Sequence, residues 1–319
     1  MQLIRGFYNL PNHSVLTNGC VLSIGNFDGV HLGHQQILAR LINKSIELGL
    51  PSVVMLFEPQ PREFFAKKVD DLTACNVPAR LMRLRDKLKY LEKSGIDFVL
   101  CVRFSERFSK LTAEEFIQDL LVKQLKVRYL SVGDDFRFGA KRAGDYHTLQ
   151  EAGKTFDFTV EESHTHSFEQ DRISSSLIRE LLQKDKLALV EKLLGKPYSI
   201  AGRVAHGNKL GRTIGFPTAN IMLNRLVVPI HGVYMVRVET KTGTYQGIAN
   251  IGNRPTINGT KPLLEVHIFD FNTNLYAQHM TLFFEHYVRP NRKFASLDEL
   301  QEQIQRDETE IRAYFGEHK

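Results

Sequence analysis

Apolar residues in the first half of the chain repeat with two different periods. Short unbroken runs at 20–25, 52–57, 97–102, 128–132 and 156–160 read as strands. Between them, 34–48, 79–93 and 112–125 bring apolar side chains round every three or four residues, as helices with one buried face do. Leu81, Leu84, Leu88 and Leu91 mark such a face, and Thr112 with Glu115 has the spacing of a capping box. This alternation predicts a doubly wound, Rossmann-like parallel sheet, whose ligands bind beyond the carboxyl ends of its strands. Near residue 184 the pattern changes. The amphipathic stretch Leu187 to Leu194 stops at Gly195-Lys-Pro197, and short strands follow at 232–239, 245–251, 263–271 and 280–288. Lys241-Thr-Gly243-Thr is a turn between two of them, and Ser296 with Glu299 opens a terminal helix. The expected organisation is an α/β domain over 1–183 and, over 184–319, a small antiparallel β-barrel with a helix laid against it.

Composition narrows the chemistry. With 319 residues and 42% hydrophobic content the chain can fill two cores. The sequence opens without a sustained apolar segment, and no run approaches the roughly 18 apolar residues of a membrane span, so a cytoplasmic protein is expected. Cys20, Cys75 and Cys101 are scattered and lie in or near apolar segments, the pattern of reduced, buried thiols. The net charge of +6 suits small anionic ligands and is too dispersed for a nucleic-acid surface.

Three segments of the first half offer phosphate chemistry. Gly25-Asn-Phe-Asp28-Gly29-Val-His31-Leu-Gly33-His34 follows a strand and opens a helix. Glycines admit a phosphate close to the backbone, the first helical N–H groups face it, and the imidazoles can donate to its oxygens. A tight turn with solvated histidines is the plainer alternative. Gly133-Asp-Asp135-Phe-Arg-Phe-Gly139 sets polar groups at another strand's carboxyl end. Arg172-Ile-Ser174-Ser175-Ser176-Leu-Ile-Arg179 starts a helix with stacked hydroxyl caps and two guanidiniums, which suits a diphosphate or a serine-capped surface helix.

In the second half, Gly207-Asn-Lys209-Leu-Gly211-Arg212 is a glycine-spaced basic loop, followed by Gly215-Phe-Pro217-Thr218-Ala-Asn220. Lys209 and Arg212 can close over phosphates, and Thr218 and Asn220 offer hard oxygen ligands for Mg²⁺. Glu265 and His267 share one face of a strand by period two, and Glu265 is expected to point inward as a candidate base, with a structural salt bridge as the alternative. His164 and His166 have no third ligand in register and read as a loop.

Taken in order, these motifs resemble the bacterial bifunctional riboflavin kinase/FMN adenylyltransferase family, the prokaryotic FAD synthetases. The Gly25–His34 turn, Phe57-Glu-Pro-Gln-Pro, Gly133–Gly139 and Ile173-Ser-Ser-Ser-Leu-Ile-Arg resemble its nucleotidyltransferase domain. Gly211-Arg-Thr-Ile-Gly-Phe-Pro-Thr-Ala-Asn, Gly232-Val-Tyr, Asn250-Ile-Gly-Asn-Arg-Pro-Thr and Glu265-Val-His resemble its flavokinase barrel. The resemblance implies phosphorylation of riboflavin by ATP to FMN, then adenylylation of FMN to FAD. It implies that His31, His34 and Arg179 contact ATP phosphates, that Ser175 and Ser176 support them, and that Asp135 lies by flavin or nucleotide. Glu265 becomes the kinase base, with Thr218 and Asn220 as Mg²⁺ and ATP contacts. Gly25, Asp28, Gly33 and Arg172 in the first half, and Gly207, Lys209, Gly211, Arg212, Asn250 and Arg289 in the second, are expected on the binding surfaces. One departure stands out: where many members read Arg-x-Glu-x-Lys-Phe, this chain reads Arg289-Pro-Asn291-Arg-Lys-Phe294. A single-activity enzyme would show motif decay in one half, which is not seen, and the sequence leaves oligomeric state open.

Overall fold

The computed structural model describes residues 1–12, 14–66, 77–133, 135–163, 167–168, 171–206, 215–223, 225, 227–256 and 259–317. Backbone contacts divide the chain into two units, Met1–Pro78 with Met82–Ser175, and Ala79–Leu81 with Ser176–Lys319.

In the first unit, strands β1 (Gln2–Arg5), β2 (Cys20–Ile24), β3 (Ser52–Glu58), β4 (Phe98–Arg103), β5 (Val127–Gly133) and β6 (Thr159–Ser163) form a parallel sheet in the order β1-β4-β3-β2-β5-β6. Alternate residues feed two cores. Leu22, Val53, Leu100 and Leu130 pack on one side, Val21, Val54, Val99 and Tyr129 on the other. Burial on both faces is why these strands read as continuous apolar runs. Helices α1 (Leu32–Leu48), α2 (Pro61–Ala66), α3 (Leu84–Lys93) and α4 (Glu106–Ser109) precede α5, in which Ala113–Glu115 continues as a π-helix over Phe116–Gln124, and α6 (Tyr146–Phe156) follows. The Thr112–Glu115 capping box forms as expected. From β2 the chain builds outward through β3 and β4, then returns to add β5 and β6 on the opposite side of β2. The carboxyl ends of β2 and β5 therefore meet at the topological switch point, where such sheets bind ligands.

Two boundaries differ from the sequence reading, and one strand is added to it. The helix expected over 79–93 starts at Leu84, because the preceding Met82 N–H is bonded to the Asp28 carboxylate (3.1 Å) instead of to a helical carbonyl. The strand expected over 156–160 begins at Thr159, since α6 runs to Phe156 and Asp157 closes it in a left-handed conformation (φ 58°). β1 is an additional edge strand of four residues.

The short pair β7 (Ser167–Phe168) and β8 (Asp171–Arg172) leads into α7 (Ser175–Gln183) and α8 (Leu187–Leu194). Strands β9 (Ser199–Ala205), β10 (Ala219–Met222), β11 (Gly232–Glu239), β12 (Thr244–Thr256), β13 (Gly259–Ile268) and β14 (His279–Arg289) then close an antiparallel barrel in the order β10-β13-β12-β11-β14-β9. Gly232 is required where it stands: its φ is 122°, and a Cβ there would lie 2.7 Å from the Arg289 carbonyl oxygen. The terminal helix α9 (Leu297–Glu317) covers β11 from outside, with Ile311 packed among Val233, Met235, Ile248 and Phe269. Arg289 locks this helix by a bidentate pair with buried Asp307, whose other oxygen lone pairs also accept from Gln303. Asp307→Ala leaves that guanidinium without its counter-ion and is expected to cost about 2–4 kcal/mol, somewhat below a fully buried pair, measured by denaturant unfolding.

Candidate functional site

The turn from β2 into α1 is built under strain. Phe27 and Val30 both adopt φ near 45° and Gly29 adopts φ 84°. A left-handed β-branched valine is rare and persists only where its surroundings dictate it. Here Asp28 is 1% exposed and accepts from Met82 N–H, its carbonyl accepts from the Ser175 hydroxyl (2.9 Å), and Gln35 donates to the Val30 carbonyl (3.0 Å). The reward is the geometry of the helix start. His31 is the N-cap, its Nδ1 accepting from the His34 N–H (3.3 Å), and the two imidazoles stack at 3.6 Å between centroids. Gly33 is buried in the first helical turn, and Gly25 bonds to β3 through its N–H.

His34 is held neutral. Burial, the adjacent His31 and the Lys87 ammonium all push its pKa well below the ordinary imidazole range, and its Nδ1 is buried without a hydrogen-bond partner among the described residues. An unfolded histidine takes up a proton near pH 6.5, whereas folded His34 does not, so protons favour the unfolded chain and stability falls as pH drops through that value. Denaturant midpoints at pH 7.5 and 5.5 should therefore differ more for the wild-type protein than for His34→Asn.

The other first-half candidates sit as follows. Ser175 opens α7, and its hydroxyl donates to the Asp28 carbonyl. Ser176 and Arg172 are exposed, and Arg179, one turn along α7, donates through Nε to the Ala79 carbonyl (2.6 Å). Asp135 is exposed in the turn after β5, where the Phe136 N–H bonds back to the Gly133 carbonyl (3.0 Å). Sequence reasoning missed an aromatic wall past the ends of β3, β4 and β5. Phe104 meets Phe57, Phe64, Phe65 and Phe108 edge to face at 5.3–5.9 Å, Phe57 also lies tilted against Phe108 at 5.5 Å, and Phe116 and Phe138 continue the chain of rings. Its one signal in the sequence was 21 Phe beside no Trp.

In the barrel, strand register assembles the second group. Glu265 on β13 lies directly opposite Asn220 of β10 on one side and Asn250 of β12 on the other. Directly opposed residues share a face, with Cβ atoms roughly 4.5–5.5 Å apart. That face is the outer one. Leu264, Val266 and Ile268 are at most 6% exposed and fill the interior, so the expectation of an inward carboxylate is overturned. A small barrel packs its interior with apolar side chains, and an ionised carboxylate there would lose its hydration. His267, on the same face as Glu265, donates from Nδ1 to the Pro217 carbonyl (2.9 Å) and packs against Phe216, which fixes the chain just ahead of exposed Thr218.

Gly207, Lys209, Gly211 and Arg212 lie outside the described residues, as do Cys75, His164 and His166. Cys20 and Cys101 are buried free thiols, and burial pushes the Cys20 pKa up to about 12. Arg289, expected on the flavin side, is engaged by Asp307. Asn291 donates its amide to the Ile251 carbonyl (2.6 Å), a bond that the acceptor-only glutamate of related sequences cannot make. Here the loop after β14 is therefore tied to β12 beside Asn250. Among the described residues no cluster of His, Cys, Asp and Glu is arranged to hold a metal, and no helix is long and apolar enough to cross a membrane.

Known proteins share both halves. Residues 14–177 match the FAD synthetase family model and residues 194–315 the riboflavin kinase model. A bifunctional riboflavin kinase/FMN adenylyltransferase from Haemophilus influenzae is 53% identical over 99% of this chain and 100% of its own. Its namesake in Escherichia coli K12 is 51% identical over 99% of this chain and 98% of that one. A solved structure described as a macrolide-efflux protein from Streptococcus pneumoniae matches with a TM-score of 0.74 and 28% identity, over 98% of this chain and 99% of that one. Both family models and the full-length relatives agree, and the chain belongs to the bifunctional riboflavin kinase/FMN adenylyltransferase family.

Proposed function

We propose that the chain makes FAD in two steps, each on its own half, with 1–183 as the adenylyltransferase and 184–319 as the kinase. In the first, ATP phosphorylates the 5′-hydroxyl of riboflavin; in the second, another ATP adenylylates the resulting FMN and pyrophosphate leaves. The observation that carries this reading is the stacked His31–His34 pair on the N-terminus of α1, at the sheet's switch point. A helix start with two imidazole donors suits the charge that builds on a departing pyrophosphate.

The two steps place different demands on the protein. A ribityl hydroxyl is a poor nucleophile until its proton is accepted, and Glu265 is the carboxylate we assign to that task. Asn220 and Asn250 flank it in register and orient the hydroxyl and phosphates. Thr218 and Asn220 are neutral oxygen donors beside a carboxylate, a set that fits Mg²⁺ shared with substrate phosphates, and the ion when bound would neutralise phosphoryl charge. Lys209 and Arg212 of the glycine-spaced loop are assigned to the ATP phosphates. FMN needs no base, because its phosphate, with a second pKa of about 6, is already anionic at neutral pH. There the protein must position and stabilise: His31, His34, Arg172, Ser176 and Arg179 are assigned to phosphates, Ser175 and Asp28 to holding the turn, and Asp135 to the flavin or nucleotide edge. The phenylalanine wall offers aromatic faces to the planar isoalloxazine. We assign the enzyme to the cytoplasm, where Cys20 and Cys101 stay reduced.

The test is a fragment. Residues 184–319 alone should convert riboflavin to FMN and make no FAD. A folded fragment without kinase activity would show that the halves share one site.

A further inference from the structure

α3 carries a charge where its pattern calls for a hydrocarbon. Leu91, one turn beyond Lys87, is fully buried in the core that faces α1, and Lys87 itself is only 5% exposed. Burying an ammonium carries a heavy desolvation penalty unless the group is well partnered. Its Nζ donates to the carbonyl of Asn26, the residue that opens the strained Phe27–Val30 turn. Two groups at the start of α3 thus grip that turn, Lys87 at Asn26 and the Met82 N–H at Asp28. The ammonium also acts electrostatically on His34 and on Cys101 of β4, while Glu58 of β3 opposes it at Cys101. Its bond to Asn26 anchors it just past the carboxyl end of β2, within electrostatic reach of His34, which is assigned to the triphosphate.

We propose that Lys87 is a positioning residue for adenylyl transfer: it clamps the Asn26 carbonyl, so that the Phe27–Val30 turn presents the first N–H groups of α1 and both imidazoles to ATP, and it sets a fixed positive charge beside them. The inference rests on the assignment of adenylyl transfer to this site. A displacement of about 1 Å in such a turn can cost roughly 10²-fold in rate.

The experiment uses full-length protein, FMN and ATP supplied directly, and three variants. Lys87→Met keeps the length and removes the charge; it should lower kcat/KM for ATP in FAD formation about 10²-fold, with flavokinase rates unchanged in the same chain. Lys87→Arg keeps the charge and should retain most of the activity, and Lys87→Gln, which can still donate, should fall between. In nitrogen-15 imidazole spectra the His34 titration should move to higher pH in Lys87→Met, a readout that packing alone would not shift in this sense. A folded Lys87→Met that makes FAD within about threefold of wild type overturns the proposal. Equal losses in all three variants, tracking lowered unfolding midpoints, overturn it as well by making Lys87 a packing element. If Lys87→Met does not fold, Lys87→Arg decides: near-normal adenylylation supports the charge, and loss of rate with normal stability contradicts it. Wild-type protein that makes no FAD would instead reject the underlying assignment.

Discussion

Glu265→Gln should lower flavokinase turnover about 10²–10⁴-fold, the usual contribution of a positioned general base, while FMN adenylylation, assayed with FMN supplied, stays at its wild-type rate. The amide keeps the shape of the side chain and its place between Asn220 and Asn250, but it cannot take the hydroxyl proton. The strand itself should not suffer, because Leu264, Val266 and Ile268 fill the barrel interior and Glu265 lies on the opposite face. A soluble, folded variant that loses both activities would make Glu265 structural. A kinase rate that barely moves would pass the proton to a substrate phosphate or to solvent.

The second large effect belongs to the turn between β2 and α1. His31→Asn should reduce FAD formation by about 10²–10³-fold, the scale for loss of one preorganised donor to developing negative charge, with FMN formation close to normal. Asparagine is chosen because His31 also caps α1 by accepting from the His34 N–H. An asparagine side chain preserves that acceptor, whereas alanine would also forfeit a cap worth roughly 1 kcal/mol and confuse the two roles. Parallel loss of both activities would show that the imidazole supports the fold of the whole chain.

The alternating runs from Cys20 to Val132 exposed the sheet in the sequence because both of its faces are covered, so each strand is apolar throughout. β1 escaped because Gln2-Leu-Ile-Arg5 is an edge strand with polar ends, and α6 because its amphipathic pattern is short and interrupted by Gly153, though Asp145 and Thr148 form its capping box. Period two correctly put Glu265 and His267 on one face but carries no information about which face is the inner one; the apolar neighbours Leu264 and Val266 decide it. The turn from β2 into α1 was visible because its residues are contiguous. Lys87 and the phenylalanine wall were not, because they are assembled from separate elements: α3 reaching back to Asn26, and rings from β3, α2, α4 and the segments between. Asn291 was noticed as a departure, yet its bond to the Ile251 carbonyl needed coordinates.

The central claim is that one chain carries riboflavin through to FAD. Full-length protein incubated with riboflavin, ATP and Mg²⁺, with flavins resolved by chromatography and pyrophosphate measured alongside, tests it most directly. Both FMN and FAD should appear, with one pyrophosphate released for each FAD formed; the absence of both flavin products, or FAD without pyrophosphate, would contradict the account.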